Sequence, residues 1–306
     1  MGPRGGMTMY DLIIIGGGPA GITAAATAIN QRLETLIIAA QWGGQTTYAM
    51  QVEDMEGRET ITGETLLDAF RRQLDYLDFV RDFDTVTEVT PVEDHFVLET
   101  VQGHHYEGRS LVIATGAKPQ RLDVLGEKRL AGRGLSYSVD THAGLFLGKD
   151  VAVVGQGRRA QWAVASLAHK AHRVYLLAYE PLVTTPLVSK LDQMENVQVI
   201  KDARVQEVGG DASVEYIVAA MPDGEVREIP VKGVFVKLAR TPNSGLVREW
   251  VNCDSRGHII VDSYCATNWP GVFAAGDVTH VSEQVLVHIG EGAKSAISAC
   301  HYLLMR

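Results

Sequence analysis

Residues 11–21 read DLIIIGGGPAG, an apolar run that leads into a glycine-rich turn. The run 11–15 has the length and composition of a buried strand, and the Ala-rich segment 22–30 after the turn is typical of a helix. A second apolar run, 35–39, predicts another strand. This order of strand, turn, helix and strand predicts a dinucleotide-binding unit, because the turn brings backbone N–H groups at a helix N-terminus to a diphosphate.

The glycines of this turn have separate roles. Gly16 permits the tight turn, Gly18 lets the backbone approach the diphosphate, and Gly21 lets helix and strand pack closely. Residues 39–41 contain no acid, so the carboxylate that usually binds a ribose is absent. The alternative interpretation is a structural glycine turn without a nucleotide. The residues predicted to contact a cofactor here are Gly16, Gly18, Pro19, Ala20 and Gly21.

The same pattern recurs about 140 residues later, and this spacing is about the usual length of one domain. A strand over 150–154 precedes Gly155-x-Gly157-x-x-Ala160, a helix to about residue 171, and a strand over 173–178. The sequence therefore predicts an α/β protein with two Rossmann-like three-layer domains.

Two further strands end in short polar turns. The run 110–113 leads into Ala114-Thr115-Gly116, and the run 271–277 ends at Asp277 before a predicted helix over 284–304. An aspartate beside a glycine at that turn is suited to bond a ribityl or phosphate oxygen of a long cofactor. The alternative is a turn aspartate that caps a helix.

Taken together, these segments resemble the thioredoxin reductase-like branch of the two-dinucleotide-binding (pyridine nucleotide-disulfide oxidoreductase) family. The resemblance covers about residues 10–304. Five blocks match in order, namely 16–21, 43–45, 114–117, 242–243, and 271–277 with 290–293.

The resemblance implies an architecture and a cofactor. It assigns 7–117 and 245–306 to a discontinuous FAD-binding domain, and 118–244 to an NAD(P)-binding-like domain inserted into the first. Residues 1–6 are predicted to be a flexible leader. The family commonly forms twofold homodimers through the FAD domain.

The resemblance also implies roles for residues near a flavin. Gly43, Gly44, Gln45 and Thr47 line the flavin, Asp277 bonds the ribityl chain, and Gln284 and Val285 lie against the ring. Asp54 and Glu283 replace the usual asparagine and arginine, so both add negative charge that should lower the reduction potential. The remaining predicted contacts are Ala114, Thr115, Gly116 and Gly276.

The redox disulfide of the family is missing. Residues 136–143 read SYSVDTHA, so that Ser138 and Thr141 occupy the two cysteine positions and His142 replaces the following acid. A hydroxyl forms neither a mixed disulfide nor a flavin adduct, which excludes thioredoxin reduction by the family route. The three cysteines, Cys253, Cys265 and Cys300, are too few and too far apart for a disulfide framework or a zinc site, and no metal site is predicted.

Three polar residues of this segment are catalytic candidates: Ser138, Asp140 and His142. A hydrolytic set is disfavoured, because such sets are defined by geometry and not by closeness in sequence. Two interpretations of His142 stay open: it moves a proton near the flavin, or it is a polar relic packed against the flavin face.

The second glycine turn departs from the NADPH-binding pattern of the family. Arg158 and Arg159 begin its helix, and Glu180 follows the second strand where an acid binds a ribose 2′-hydroxyl and repels a 2′-phosphate. Three alternatives stay open: NADH in preference to NADPH, a larger nucleotide such as a second FAD stacked on Trp162 and Tyr179, or a decayed site with Trp162 in the core. The predicted second-nucleotide residues are Gly155, Gly157, Arg158, Arg159, Ala160, Tyr179 and Glu180.

Composition narrows the functional classes. A net charge of −9 does not favour a nucleic-acid partner. The uncharged stretch 12–29 imitates a membrane span, but glycines 16–18 and Pro19 interrupt it, so we expect a cytoplasmic protein with no membrane partner.

We therefore expect an FAD-containing oxidoreductase without dithiol chemistry, which draws electrons from NADH, a ferredoxin-like protein or a second flavin. The alternative is a redox-idle flavin-binding sensor or partner subunit.

Overall fold

The computed structural model describes residues 9–44, 50, 68, 72, 81–279 and 284–306. The chain divides into two compact units. The first unit comprises Met1–Thr47, Ile61–Lys118 and Thr241–Arg306, and the second comprises Tyr48–Thr60 and Pro119–Arg240. The predicted boundaries of the FAD domain and of its insert stay a prediction.

The elements of the amino-terminal half, in chain order, are β1 Met9–Tyr10, β2 Leu12–Ile15, α1 Pro19–Asn30, β3 Thr35–Ile38, β4 Arg81–Asp82, β5 Val86–Val92, β6 His95–Thr100, β7 His105–Gly108, β8 Leu111–Ile113, β9 Ala117–Pro119, α2 Glu127–Leu130, β10 Leu135–Ser136 and α3 Val139–His142. A 3-10 turn follows at Ala143–Phe146. The remaining elements are β11 Asp150–Val154, α4 Arg158–Ala168, β12 Arg173–Ala178, α5 Pro186–Leu191, β13 Val197–Lys201, β14 Arg204–Gly209, β15 Tyr216–Ala220, β16 Val226–Pro230, β17 Gly233–Val236, β18 Arg240–Pro242, β19 Val272–Ala274 and α6 Val285–Leu304.

A five-stranded parallel sheet lies at the centre of the first unit, in the order β19-β8-β2-β3-β4. Every residue of β2 is buried, as expected for a strand covered on both faces. Ile13 and Ile15 pack toward β5, β6 and β7, whereas Leu12 and Ile14 pack toward α1 and α6. The unit therefore has three layers, and the continuous apolar run follows from burial on two sides.

The second unit repeats this plan. Its parallel sheet has the order β10-β17-β11-β12-β13, and β14, β15 and β16 form a separate antiparallel sheet. Ala152 and Val154 join the apolar cluster on the side of that antiparallel sheet, whereas Val151 and Val153 join the cluster that includes α4. The predicted α/β class with two Rossmann-like domains is confirmed.

The strand and helix boundaries agree with the sequence-based expectations to within a few residues. The strands β11 and β12 have the predicted limits, and α4 ends at Ala168, before the predicted 171. The last helix begins at Val285, with Gln284 as its extended N-cap residue. In the part of the chain that the structure describes, we find no helix with the combined length and apolar character that crossing a membrane would require.

Gly292 sets how closely the last helix approaches the first. A Cβ at Gly292 would overlap the carbonyl oxygen of Ala20, whereas a Cβ at Gly290, on the same helix, would meet nothing within 4 Å. We expect Gly292→Ala to lower the free energy of unfolding by about 1–3 kcal/mol, the usual cost of overpacking. Gly290→Ala is the matched control and should be neutral or stabilising, because alanine favours helix. Chemical denaturation of both variants measures the difference, and equal stability would contradict this packing.

Candidate functional site

The first glycine turn is built by close backbone approach. Gly16 has φ of 118°, and a Cβ there would overlap the backbone of Ala114. A Cβ at Gly21 would overlap the carbonyl oxygen of Gly16. Glycine is therefore required at both positions, and the requirement holds α1 directly against the ends of β2 and β8.

Gly18 differs from its neighbours because it faces open space. It is the N-cap residue of α1 and, as a glycine, supplies no side-chain cap to the first N–H groups of the helix. A Cβ at Gly18 would meet nothing within 4 Å. The helix begins at Pro19, whose missing N–H would have no partner in any case. An exposed helix start of this kind is suited to a phosphate.

The predicted flavin-lining segment begins at this turn. The N–H of Gly43 donates to the carbonyl oxygen of Gly17 over 2.8 Å, and the ideal Cβ position of Gly44 lies 3.2 Å from the Cα of Gly18. Trp42 packs edge-on against Phe83 with ring centroids 5.4 Å apart. Gln45, Thr47 and Asp54 lie outside the described residues.

The Ala114-Thr115-Gly116 turn is fixed by a residue far away in sequence. The Thr115 hydroxyl donates to the Asn243 carbonyl oxygen over 2.7 Å, and the Asn243 side-chain amide donates to the Thr115 carbonyl oxygen over 2.8 Å. The Asn243 N–H also donates to Gly116 O over 2.9 Å. This reciprocal pairing joins two of the matched sequence blocks, 114–117 and 242–243, in the fold.

Asp277 lies beyond the end of β19, beside two residues of α6. Its Oδ1 is 3.4 Å from Nε2 of His288, and the side chains of both residues are largely buried. Glu291 accepts a hydrogen bond from the Gly276 N–H over 2.8 Å through Oε2. Its Oε1 is buried without a hydrogen-bond partner among the described residues. Burial raises the pKa of Glu291, opposed by the Gly276 N–H and by His288.

These residues fit an FAD. Gly18 leaves open space at a helix start, as a diphosphate requires, and Asp277 supplies a carboxylate acceptor for a hydroxyl chain. Gln284 is exposed and Val285 half-buried at the start of α6, where a helix N-terminus favours negative charge.

The second glycine turn has a similar form. Gly155 has φ of 153°, and its Cβ would crowd the backbone of Lys237. Gly157 is the N-cap residue of α4, and a Cβ there would meet nothing within 4 Å. Between them, the Gln156 amide donates to the Tyr179 hydroxyl over 3.3 Å and to Glu180 Oε2 over 3.2 Å. The glycine turn and the carboxylate after β12 therefore meet.

The two arginines at this turn have different surroundings. Arg158 is exposed, whereas Arg159 is half-buried and donates from Nη1 to the carbonyl oxygen of Leu238 over 2.9 Å. Trp162 is 67% exposed, so the decayed-site interpretation was wrong to place it in the core. Tyr179 is half-buried against the apolar cluster of the second unit, and Ala160 is buried in the other cluster.

Two hydroxyls lie at the positions that the sequence resemblance assigns to the family's disulfide. Ser138 precedes α3 as its N-cap residue, and Thr141 lies within the helix. The two hydroxyl oxygens are 3.0 Å apart and hydrogen-bonded to each other. The local geometry therefore still brings the two side chains together.

His142 is buried in a polar network of the second unit. Its Nδ1 lies 2.8 Å from the Ser136 hydroxyl, which in turn is 2.9 Å from the Ser138 carbonyl oxygen. A hydrogen on Nδ1 satisfies all of these groups, since Nδ1–H donates to Ser136 and the Ser136 hydroxyl donates to Ser138. Burial, together with the nearby Lys237 ammonium, lowers the pKa of His142 to about 4.

The three catalytic candidates do not form a relay. Ser138 bonds Thr141, and His142 bonds Ser136. Asp140 is exposed and lies two residues from His142 on the same helix, a spacing at which side chains do not face each other.

The three cysteines belong to the first unit, and burial disfavours the thiolate of two of them. Cys265 and Cys300 are buried, and Cys253 is partly buried. Burial raises the pKa of Cys265 to about 11, and it also raises that of Cys253. Thiols with raised pKa are poor nucleophiles at neutral pH.

One group of possible metal ligands occurs among the described residues, namely Asp82, Asp84 and His104. Internal hydrogen bonds account for it. Asp82 accepts from the Tyr106 hydroxyl over 2.7 Å and contacts His104 Nδ1 at 3.0 Å, and Asp84 accepts from the Thr85 N–H over 2.7 Å. These contacts are sufficient to explain a structural cluster.

Two residues of the first unit had no role in the sequence analysis. His288 was not singled out, and Glu291 appeared only within a matched block. Their spacing of three residues puts them on one face of a helix, but only the fold brings Asp277 to that face.

The lowered pKa of His142 predicts a pH-dependent stability. The unfolded chain binds a proton on this histidine below about pH 6.5, whereas the folded chain does so only near pH 4, so stability is lost as the pH falls between these values. From pH 7 to pH 4.5 this loss should be about 2 kcal/mol, and His142→Gln should remove it.

Urea denaturation at the two pH values measures this difference. His169→Gln, at an exposed position of the same unit, is the control and should keep the full loss. The account of this buried imidazole fails if His142→Gln and the wild type lose equal stability.

Comparison with known proteins agrees with these features. Residues 10–295 match the model of the family described as "Pyridine nucleotide-disulphide oxidoreductase". The chain is 34% identical over 306 residues to a subunit of the alkyl hydroperoxide reductase of Escherichia coli and 32% identical over 301 residues to an NADH dehydrogenase of Bacillus subtilis, and each alignment covers 96% of this chain. It spans 58% and 59% of the lengths of these two relatives.

A solved structure extends the likeness to the whole fold. The thioredoxin reductase of Streptococcus pyogenes superposes with a TM-score of 0.87 at 29% identity, over 98% of this chain and 100% of that chain. The chain thus belongs to the pyridine nucleotide-disulfide oxidoreductase family and has a thioredoxin reductase-like fold.

Proposed function

We propose that the chain is an FAD-dependent oxidoreductase that accepts hydride from NADH in preference to NADPH and passes electrons on without a dithiol. The observation that carries the proposal is the pair of glycine turns, each with open space at a helix start, the second of which has a carboxylate hydrogen-bonded beside it. The flavin, when bound, supplies a ring that accepts two electrons as hydride.

In the first unit we assign each residue a binding role. Gly18 and the first N–H groups of α1 hold the diphosphate, and Asp277 accepts a hydrogen bond from the ribityl chain. Asn243 keeps the Thr115 turn in place because its carbonyl oxygen accepts from the Thr115 hydroxyl and its side-chain amide donates to the Thr115 carbonyl oxygen. The start of α6 directs its positive dipole end toward charge that develops on the ring.

In the second unit, Glu180 determines the choice of pyridine nucleotide. Gln156 holds its carboxylate beside the glycine turn, so the carboxylate is placed to accept from ribose hydroxyls and to repel a 2′-phosphate. The name of the Bacillus relative, an NADH dehydrogenase, agrees with this choice.

His142 has a structural role in this proposal. An efficient proton donor or acceptor has a pKa near the working pH, and the pKa of His142 is lowered to about 4. The imidazole therefore stays neutral and orders the segment that contains Ser136 and Ser138. A twofold homodimer is part of the same proposal.

Two valine substitutions separate the two nucleotide sites. Gly18→Val fills the open space at the first turn, so we expect the purified protein to fall from about one FAD per chain to almost none. Gly157→Val should keep its FAD but lose bleaching of the flavin absorbance by NADH under anaerobic conditions. Flavin release and anaerobic titration measure both outcomes.

Each variant is the control for the other, because both glycines have an extended backbone that valine can adopt. In the wild type, NADH should bleach the flavin at lower concentration than NADPH. A flavin that is photoreduced readily but not bleached by either nucleotide would contradict the proposal and favour the redox-idle alternative.

A second flavin in the insert is the second candidate. It is favoured by Trp162, which is 67% exposed one turn after the exposed Arg158 and so offers a stacking surface beside a cation. A ratio near one FAD per chain in the wild type, unchanged in Gly157→Val, would exclude it.

Restoring the two cysteines tests the loss of dithiol chemistry. The hydroxyls of Ser138 and Thr141 are 3.0 Å apart, so two sulfur atoms there would have only a short way to move to the S–S bond length of about 2.05 Å. We expect the double variant Ser138→Cys, Thr141→Cys to form a reversible disulfide and to reduce an aromatic disulfide with NADH.

Ser138→Cys alone is the control, since its neighbour Thr141 offers a hydroxyl and no second sulfur. This variant should reduce the aromatic disulfide no faster than the wild type. Thiol titration before and after reduction counts the new pair. Wild-type protein that reduces the aromatic disulfide at the rate of the double variant would contradict the proposed loss of dithiol chemistry.

A further inference from the structure

We propose that His288 is a proton acceptor coupled to the flavin: it takes up one proton when an FAD held at Asp277 is reduced. This inference rests on the proposed function. His288 contacts Asp277 across 3.4 Å and is itself buried, so its charge acts on its surroundings with little screening by water.

The cluster combines groups from two elements. Asp277 follows β19, whereas His288 and Glu291 lie one turn apart on α6. The ideal Cβ position of Gly276 is 3.9 Å from Cγ of His288, and the Gly276 N–H bonds Glu291. The turn at Gly276 therefore brings the carboxylates of Asp277 and Glu291 close to the imidazole of His288.

Among the described residues outside the cluster, two titratable groups interact with Glu291. Lys294, on the same helix, is exposed and interacts with Glu291. Cys265 contributes a neutral thiol that contacts the Glu291 carbonyl oxygen at 3.7 Å. The residues of α1, which packs against α6, include no titratable side chain. His280 and Glu283 lie outside the described residues.

The burial of Glu291 has a consequence for charge. Its Oε1 is buried without a hydrogen-bond partner among the described residues, and burial raises its pKa because the charged form is disfavoured there, opposed by the Gly276 N–H and by His288. Asp277 is the carboxylate that contacts the imidazole directly, at 3.4 Å. Histidine is the side chain that changes charge most readily between pH 5 and 8.

The step balances as follows. When bound, the flavin would accept a hydride, so that a C–H bond of the donor would break, one bond to hydrogen would form on the flavin, and the flavin would gain one negative charge. A second proton moves from solvent to the imidazole of His288, where it is favoured by the new negative charge and by Asp277. No other bond forms or breaks, and oxidation of the flavin returns this proton to solvent.

The dependence of the flavin midpoint potential on pH measures the proton count. In the wild type we expect about two protons per two electrons between pH 6 and 8, and in His288→Gln about one, so the slope of potential against pH halves. His301→Gln, at an exposed position of the same helix, is the matched control and should keep the wild-type slope.

A full slope in His288→Gln would overturn the inference while leaving the proposed function intact, whereas a chain that binds no FAD would refute the proposed function instead. If His288→Gln loses its flavin, wild-type protein containing isotope-labelled histidine gives the answer without a variant. Its infrared difference spectrum on photoreduction should show an imidazole that becomes protonated. A spectrum without a histidine band would overturn the inference.

Discussion

The structure of the first unit depends on one constraint, the close approach of backbones at three points around α1. A side chain at Gly16 would overlap Ala114, a side chain at Gly21 would overlap Gly16, and a side chain at Gly292 would overlap Ala20. These contacts fix α1 against β2, β8 and α6. The open start of α1 and the buried Asp277 are both held in place by this packing, and the candidate cofactor site is a consequence of it.

Much of the fold could be predicted from the sequence because its strands are short, apolar and buried on both faces. Runs such as 11–15 and 150–154 need no partner residues to be recognised, and each precedes a glycine turn whose steric demand is local. The exposure of the Trp162 side chain could not be predicted in this way. Its exposure depends on which face of α4 meets the sheet, and the sequence of a short helix leaves that choice open.

The site shows the same division between local and distant interactions. The glycines, Asp277 and the hydroxyl pair at 138 and 141 follow from motifs that are continuous in sequence. The bonds between Thr115 and Asn243, and the contact of Asp277 with His288, join residues that are distant in sequence or belong to different elements. His142 illustrates the limit most clearly, since burial, together with the nearby Lys237 ammonium, lowers its pKa to about 4, and the local sequence shows neither cause.

The account as a whole requires a long dinucleotide on the first unit, and a crystal structure of the protein incubated with FAD tests this requirement most directly. We predict density for a diphosphate over Gly18 at the start of α1, with a ribityl hydroxyl within hydrogen-bond distance of Asp277. Full-occupancy FAD elsewhere in the chain, or no FAD density over Gly18 in crystals grown with excess FAD, would contradict the account.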